Sequence, residues 1–309
     1  MSASCCVAGR NSRPGRSSCR SPFALRTPSE APVSRPDTGI LMPGRNGQAV
    51  VVIHGLTGTP NEMRSVAWFL NSQGYTVICP RLANHGEPLH VLRATRWEEF
   101  YASVRWPFEN IRAGHEQVFV GGLSMGALLA LLLAAELQAT VAGVSCLSPT
   151  LFYDAWNVPW DHLLPPLASD TWLKHVCYFK EDPPDGLKNE RLRERVHQYY
   201  QQADIYNLRE VDRSGYPFFP ARLLGELRRF VKKLDERLEA VHSPCQIIQA
   251  RHDDVSSVRN ALHIHDRVAA GRKEIVYLEN PYHVITADQE RGKVARSILA
   301  FFDGGTGHG

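Results

Sequence analysis

Ser124 lies in a G-x-S-x-G pattern, GLSMG, between the apolar run VFVG and the helix-forming run ALLALLLAA. Where a strand turns sharply into a helix in this way, the serine adopts a strained conformation and its hydroxyl projects from the carboxyl edge of a sheet. Gly122 and Gly126 carry no Cβ atom, so the strand and the helix can pass each other closely. We therefore predict that Ser124 is a nucleophile, although the same five-residue pattern also occurs in ordinary tight turns.

A base and an acid that would activate Ser124 follow later in the chain. A serine hydroxyl needs a base to take its proton, and the base needs a carboxylate to orient it. The strand-like run CQIIQA leads to Asp253 and Asp254, and the run EIVYLE leads to His283, which follows Asp253 by 30 residues. One βαβ step separates the two strand ends, so both groups reach the same edge of the sheet. We predict His283 as the base and Asp253 as the acid. Asp254 remains the alternative acid, and one of the two aspartates is expected to cap the next helix.

Two backbone N–H groups are predicted to stabilise the oxyanion of a tetrahedral intermediate. Met125 directly follows the nucleophile and supplies the first. The loop IHGLTGTP supplies the second from Leu56, which lies among the glycines Gly55 and Gly58. His54 is expected to brace this loop by hydrogen bonds rather than to act as a base.

The elements that must position these groups alternate between strands and helices. Strands are predicted at AVVVIHG, which is expected to be fully buried, and at YTVICP, QVFVGG, TVAGVSCLSP, CQIIQA and EIVYLE, with helical patterns between them. This alternation predicts βαβ units and a mostly parallel sheet flanked by helices, which is an α/β fold. Residues 39–149 and 243–305 form this predicted core.

Residues 150–242 interrupt the alternation with proline-rich joints and helical stretches, and they contain no strand pattern. We interpret them as a helical cap, or lid, inserted into the core. Four aromatic residues at the start of this segment are predicted to line an apolar acyl pocket; alternatively, they pack the cap on the core. They are Phe152, Tyr153, Trp156 and Trp160.

The basic residues of the N-terminus account for the formal net charge of +3. Residues 1–38 are rich in Ser, Arg and Pro, and are predicted to be a disordered tail. A transit peptide is the alternative interpretation of an Arg- and Ser-rich start. Because the remainder of the chain has no basic excess, no nucleic-acid partner is predicted.

The apolar runs and the cysteines indicate the cellular location of the protein. No apolar run reaches the roughly 18 residues that a membrane span needs, so we expect no stable membrane insertion. The seven cysteines show no metal-ligand spacing and no disulfide framework. We predict a cytoplasmic protein with reduced thiols, no metal and no cofactor. The oligomeric state stays open.

Five segments, in this order along the chain, resemble the motifs of a known family: HGLTGTP, LANHGEP, GGLSMGA, QARHDD and HVITADQE. They resemble the bacterial carboxylesterases of the monoacylglycerol-lipase-like branch of the α/β-hydrolase superfamily. The resemblance runs from about Ala49 to Phe302, except for most of residues 150–242. It implies an α/β-hydrolase fold with a helical cap, and it assigns the nucleophile, acid, base and oxyanion donors to Ser124, Asp253, His283, Leu56 and Met125.

Two departures from the family pattern limit what can be transferred. The insertion is longer than the usual compact cap and contains three tryptophans, so the substrate does not follow from the resemblance. The family's G-H-G after the second strand is N-H-G here, at residues 84–86, which is expected to change the packing of a loop.

The predicted function is hydrolysis of a small-molecule carboxylic ester through an acyl-enzyme. A thioesterase or an acyltransferase would use the same residues and remains an alternative. A peptidase is a further alternative, although amide cleavage needs leaving-group protonation and specificity contacts that the sequence does not show. Epoxide hydrolases and dehalogenases are disfavoured because they place an aspartate where this chain has Ser124. A catalytically silent hydrolase fold that binds an apolar ligand is the alternative from outside the enzymes.

Overall fold

The structure is a computed structural model that describes residues 39–157, 178–180, 183–202 and 215–304. The predictions for the tail at residues 1–38 and for Trp160 fall outside these residues. The predicted core, residues 39–149 and 243–305, lies within the described residues except for its last residue.

Within the described residues, seven strands form one sheet, in the order β1-β3-β2-β4-β5-β8-β9. All neighbouring strands are parallel except β1, which pairs antiparallel with β3 at the edge. The strands of this sheet are β1 (Ile40–Met42), β2 (Gln48–Ile53), β3 (Thr76–Cys79), β4 (Gln117–Leu123), β5 (Val144–Leu147), β8 (Cys245–Ala250) and β9 (Lys273–Leu278).

Eight α-helices lie within the described residues, and they cover both faces of the sheet. They are α1 (Arg64–Ser72), α2 (Leu89–Ala94), α3 (Trp97–Arg112), α4 (Met125–Leu137), α5 (Glu190–Gln202), α6 (Ala221–Asp235), α7 (Val258–Arg267) and α8 (Arg291–Phe302). Short 3-10 turns lie at Pro60–Met63, Gln138–Thr140 and Leu238–Ala240.

The hydrophobic residues form two clusters, one on each side of the sheet. Helices α3, α4, α6 and α7 contribute to the first cluster, and α1 and α8 contribute to the second. Helix α4 is buried along most of its length, from Met125 to Ala135. A helix that is apolar on every side belongs in the interior, and this one directly follows Ser124. The predicted mostly parallel α/β fold is thus confirmed.

Two features of the predicted cap differ from the sequence analysis. Residues Tyr178–Lys180 (β6) and Phe218–Pro220 (β7) pair as a small antiparallel sheet, so the prediction that residues 150–242 contain no strand is wrong. Three-residue strands are too short to produce a visible two-residue alternation. Helix α6 packs on α3 and α4, because its apolar stripe of Leu223, Leu227, Phe230 and Leu234 belongs to the first core cluster. The boundaries of the cap otherwise remain a prediction.

Within the described residues, none of the helices combines the length and the apolar character needed to cross a bilayer.

Candidate active site

Ser124 occupies the sharp turn between β4 and α4. Its backbone has φ +55° and ψ −118°, a conformation that costs a non-glycine residue about 1–3 kcal/mol. The two glycines make the turn possible, since a Cβ atom on Gly122 would overlap the backbone of Gly126. A Cβ atom on Gly126 would overlap the carbonyl oxygens of Ile53 and His54. The turn therefore brings the ends of β2 and β4 together around the serine.

The Ser124 hydroxyl lies 3.1 Å from Thr150 Oγ1. Thr150 donates its own proton to the carbonyl oxygen of Ser148 at 3.2 Å, so Ser124 is the donor in the contact between the two hydroxyls. Among the described residues, Thr150 is the hydrogen-bond partner of this hydroxyl. The sequence analysis did not single out Thr150, although it follows β5, the strand next to β4, and its position at the same sheet edge was a usable signal.

His283 and Asp253 meet in a buried contact. His283 Nδ1 lies 2.9 Å from Asp253 Oδ2 and 3.0 Å from Oδ1. Both side chains are almost fully buried. Because Nδ1 faces a carboxylate, the ring proton is held there and the lone pair of the neutral ring is on Nε2. This is the tautomer that a general base requires.

Asp253 is itself oriented by several donors. Its Oδ1 accepts hydrogen bonds from the N–H groups of Val255 at 2.9 Å and Ser256 at 2.8 Å. Its Oδ2 accepts one from Gln249 Nε2 at 3.0 Å. These contacts satisfy the acceptor oxygens of the carboxylate and fix its position against the His283 ring. Sequence reasoning missed Gln249, which lies on β8 and is fully buried.

Asp254 contacts the backbone of the same histidine rather than its ring. Its Oδ1 accepts from His283 N–H and its Oδ2 from Gly186 N–H, both at 3.1 Å. The expectation that one of the two aspartates caps the next helix is wrong. Helix α7 begins later, and its N-cap is Ser257, whose hydroxyl accepts from Arg259 N–H. The turn before α7 uses the Asp253 carboxylate for its own amides, which leaves Ser257 at the helix start.

Burial and charge act in opposite directions on His283. Burial alone lowers the pKa of the imidazole, whereas the negative charges of Asp253, Asp254 and Glu62 and the hydrogen bond with Asp253 raise it. The charges outweigh burial, and the pKa of His283 lies above its ordinary value. Burial also raises the pKa of Asp254.

Residues 54–58, which we call the oxyanion loop, follow β2. Leu56 N–H and Met125 N–H have no hydrogen-bond acceptor in the described part of the chain. Both residues are nevertheless buried. Buried N–H groups are nearly always paired, so these two are available to an oxygen of a bound molecule.

Two buried histidines hold the oxyanion loop. His54 Nδ1 donates to Gly55 O at 2.8 Å, while its Nε2 accepts from Leu82 N–H. His85 Nε2 donates to Leu56 O at 2.5 Å. Burial lowers the pKa of both rings, that of His85 to about 4, so both are neutral. The predicted bracing role of His54 is confirmed, and His85 is a second brace that sequence reasoning missed.

The N-H-G departure, residues 84–86, lies next to these braces. Asn84 has φ +58°, and its side chain donates to Thr95 Oγ1 at 2.9 Å. Asparagine tolerates this left-handed conformation better than most residues, so Asn84 can occupy a position where the family has glycine. The expected change in loop packing stays a prediction.

The predicted pocket aromatics take different positions. Phe152 packs against α7, where its ring lies 5.3 Å from the His263 ring and 4.5 Å from the Arg259 guanidinium. Trp156 is 60% exposed and meets the ring of Tyr282, the neighbour of His283, edge-on at 5.5 Å. Tyr153 is exposed. A pocket shared by these residues stays a prediction.

No cluster of three or more His, Cys, Asp and Glu side chains with the arrangement of a metal site lies in the described ranges.

Comparison with known proteins identifies the family. The family described as serine aminopeptidase S33 (Hydrolase_4) matches residues 44–290. The chain belongs to this family. The S33 match spans most of the chain and confirms the α/β-hydrolase resemblance drawn from the five motifs.

Relatives of this S33 chain match over most of its length. A carboxylesterase of Bacillus subtilis is 23% identical over 257 residues, which are 83% of this chain and 92% of that protein. A thermostable monoacylglycerol lipase of a Bacillus species is 28% identical over 254 residues, which are 82% of this chain and 89% of that protein. The solved structure of a monoacylglycerol lipase from Paleococcus ferrophilus matches with a TM-score of 0.69 at 17% identity and covers 86% of this chain and 97% of that one. This last likeness shows the shared fold.

Proposed function

We propose that the protein is a serine hydrolase that cleaves carboxylic esters through an acyl-enzyme. The observation that carries the proposal is the contact between His283 Nδ1 and Asp253. It lies at the same carboxyl edge of the parallel sheet as the strained Ser124. Within the described residues, Leu56 N–H and Met125 N–H have no acceptor. The S33 family membership supports it, as do the two Bacillus relatives, a carboxylesterase and a monoacylglycerol lipase.

The first step is attack by Ser124 Oγ on the ester carbonyl carbon. His283 Nε2 takes the hydroxyl proton, and Asp253 stabilises the imidazolium that forms. The carbonyl oxygen becomes an oxyanion and accepts hydrogen bonds from Leu56 N–H and Met125 N–H. For this step the Ser124 hydroxyl turns from Thr150 towards His283.

Two further steps complete the cycle. The C–O bond to the leaving group breaks, and His283 gives its proton to the departing alcohol, which leaves an acyl group on Ser124. Water then attacks this acyl-enzyme while His283 takes a proton from the water and returns it to Ser124. The products are one carboxylic acid and one alcohol, and the residues are restored.

The location of the protein is also part of the proposal. We retain the cytoplasm, which is supported by three free and buried thiols, Cys79, Cys146 and Cys245. Cys177 lies outside the described residues. A small-molecule ester remains the proposed substrate, without a nucleic-acid partner.

Turnover of a series of p-nitrophenyl esters, from acetate to palmitate, tests the function. We expect wild-type activity with a preferred chain length, and a loss of about 10⁴-fold or more in kcat for Ser124→Ala and His283→Ala. Undiminished turnover by Ser124→Ala would contradict the proposal. If acyl thioesters are cleaved and oxygen esters are not, the alternative thioesterase is correct.

A further inference from the structure

Glu62 lies behind the oxyanion loop, on the 3-10 turn that leads into α1. Its side chain folds back over the loop, and Oε2 accepts a hydrogen bond from Gly55 N–H at 3.0 Å. The carboxyl group fills the space beside Gly58, because a Cβ atom on Gly58 would overlap all three of its atoms. Gly55 separates this carboxyl from the nucleophile: a Cβ atom on Gly55 would lie 3.5 Å from Glu62 Oε2 and 3.7 Å from Ser124 Cβ.

This hydrogen bond completes a set of contacts around the Leu56 amide. Gly55 O accepts from His54, Leu56 O accepts from His85, and Gly55 N–H donates to Glu62. Peptide units are planar, so holding the groups on both sides fixes the direction of the Leu56 N–H between them. Glu62 therefore anchors the side of the oxyanion loop that the two histidines leave free.

An uncharged oxygen acceptor would be enough to hold Gly55 N–H. The hydrogen bond alone therefore does not explain why a carboxyl group is buried at this position. Burying a carboxylate is unfavourable, and burial raises the pKa of Glu62 to about 7, although the Gly55 hydrogen bond and the charge of His283 lower it. Besides His283, the group that faces Glu62 is the Cys79 thiol at the end of β3. Burial chiefly, and the Glu62 charge in addition, raises the pKa of that thiol.

The position of the carboxyl group relative to His283 follows from the same turn. Ser65, three residues along, donates from its hydroxyl to Thr286 O at 2.5 Å, which ties the start of α1 to the loop that carries His283. The charged groups that face His283 are Asp253 and Asp254 from the loop after β8 and Glu62 from this turn. Glu62 thus contacts the oxyanion loop directly and acts on the base through its charge.

We propose that Glu62 is a positioning residue of the active site: its carboxyl group anchors the oxyanion loop at Gly55, and in its ionised form it stabilises the imidazolium form of His283. The inference rests on the proposed function, in which both groups act on the same tetrahedral intermediate. Through Gly55 and His283, one side chain would couple the two parts of the site.

Two substitutions separate the anchor from the charge. Glu62→Gln keeps the length and an oxygen acceptor but removes the charge, whereas Glu62→Asp keeps a carboxylate that falls one methylene short of Gly55. Glu98→Gln is the matched control, because it makes the same chemical change in an exposed ion pair with Arg96. Kinetics with the preferred p-nitrophenyl ester as a function of pH, and NMR titration of the His283 ring, are the readouts.

We expect Glu62→Gln to lower the pKa of His283, because a nearby negative charge is removed, and to move the acid limb of kcat/KM to lower pH by the same amount. Glu62→Asp should lower kcat about tenfold or more, with KM within about twofold, because the oxyanion loop is no longer anchored. Glu98→Gln should match the wild type in all three measurements.

The inference is overturned if Glu62→Gln leaves the His283 titration unchanged, or if Glu62→Asp has wild-type kcat. The NMR titration needs no turnover, so it tests the coupling even if the proposed function is wrong. Failure of the function is recognised separately, by undiminished turnover in Ser124→Ala. Melting temperatures of the variants identify any loss of activity that comes from unfolding.

Discussion

The acid–base side and the oxyanion side of the candidate site differ in charge: the first contains several ionisable groups close together, and the second contains neutral hydrogen-bond donors. On the acid–base side, the loops after β8 and β9 bring Asp253, Asp254 and His283 together, and their charges raise the pKa of the histidine. On the oxyanion side, the loops after β2 and β4 carry two N–H groups without an acceptor in the described part of the chain, near two neutral histidines, His54 and His85. The difference follows from the chemistry: a base must stabilise a proton, whereas an oxyanion needs preorganised donors that have no competing acceptor.

The largest effect on kcat should come from substituting Asp253, and the same substitution at Asp254 provides the comparison. Asp253→Asn removes the charge that faces the His283 ring and permits the wrong tautomer, so we expect kcat to fall by about 10⁴-fold. Asp254→Asn keeps an oxygen near the His283 N–H and should cost far less. Single-turnover kinetics of both variants would measure the ratio. Equal losses would show that the two carboxylates act as one unit and would remove the distinction drawn here.

A smaller effect is expected from loosening the oxyanion side. His85→Phe keeps the packing against Phe100 and Tyr216 but removes the donor to Leu56 O. We expect kcat to fall about tenfold to a hundredfold, with little change in KM, because the Leu56 N–H loses its orientation. His115→Phe is the control, since His115 forms its hydrogen bonds with Ile111 and Thr76, in another part of the core. If both variants lose the same activity, the brace has no specific role.

The smallest expected effect is a shift in the pH dependence of kcat/KM. The base must be neutral, so kcat/KM falls as the pH decreases through the pKa of His283. Because that pKa is raised, the midpoint of the acid limb should lie above the ordinary histidine value of about 6.5. A pH profile of kcat/KM for the wild type measures it, and a midpoint below about 6 would contradict the charge balance on this side.

The sequence predicted the parts of the site that depend on strand ends and on special backbone conformations. Ser124, Asp253 and His283 each follow a strand, and parallel strands deliver such residues to one edge of the sheet. The glycines of the turn showed where backbones pass closely. These signals are local, and they also sufficed for the mostly parallel sheet.

Side-chain contacts between distant segments could not be predicted in the same way. Gln249 looks like any other residue of a buried strand, and Glu62 looks like a polar residue in a helix start, until the fold brings each to its partner. The packing of α6 on α3 and α4 was missed for a related reason. Its apolar stripe was visible, but the sequence does not specify which surface covers that stripe.

The central claim, that Ser124 is a nucleophile activated by His283, is tested most directly by reaction with a fluorophosphonate and mass spectrometry of the intact and digested protein. We expect one adduct on the peptide that contains Ser124 and no adduct in Ser124→Ala. In His283→Ala, labelling should be slower by orders of magnitude. An unlabelled Ser124 in folded protein, or labelling that is as fast without His283, would contradict the claim.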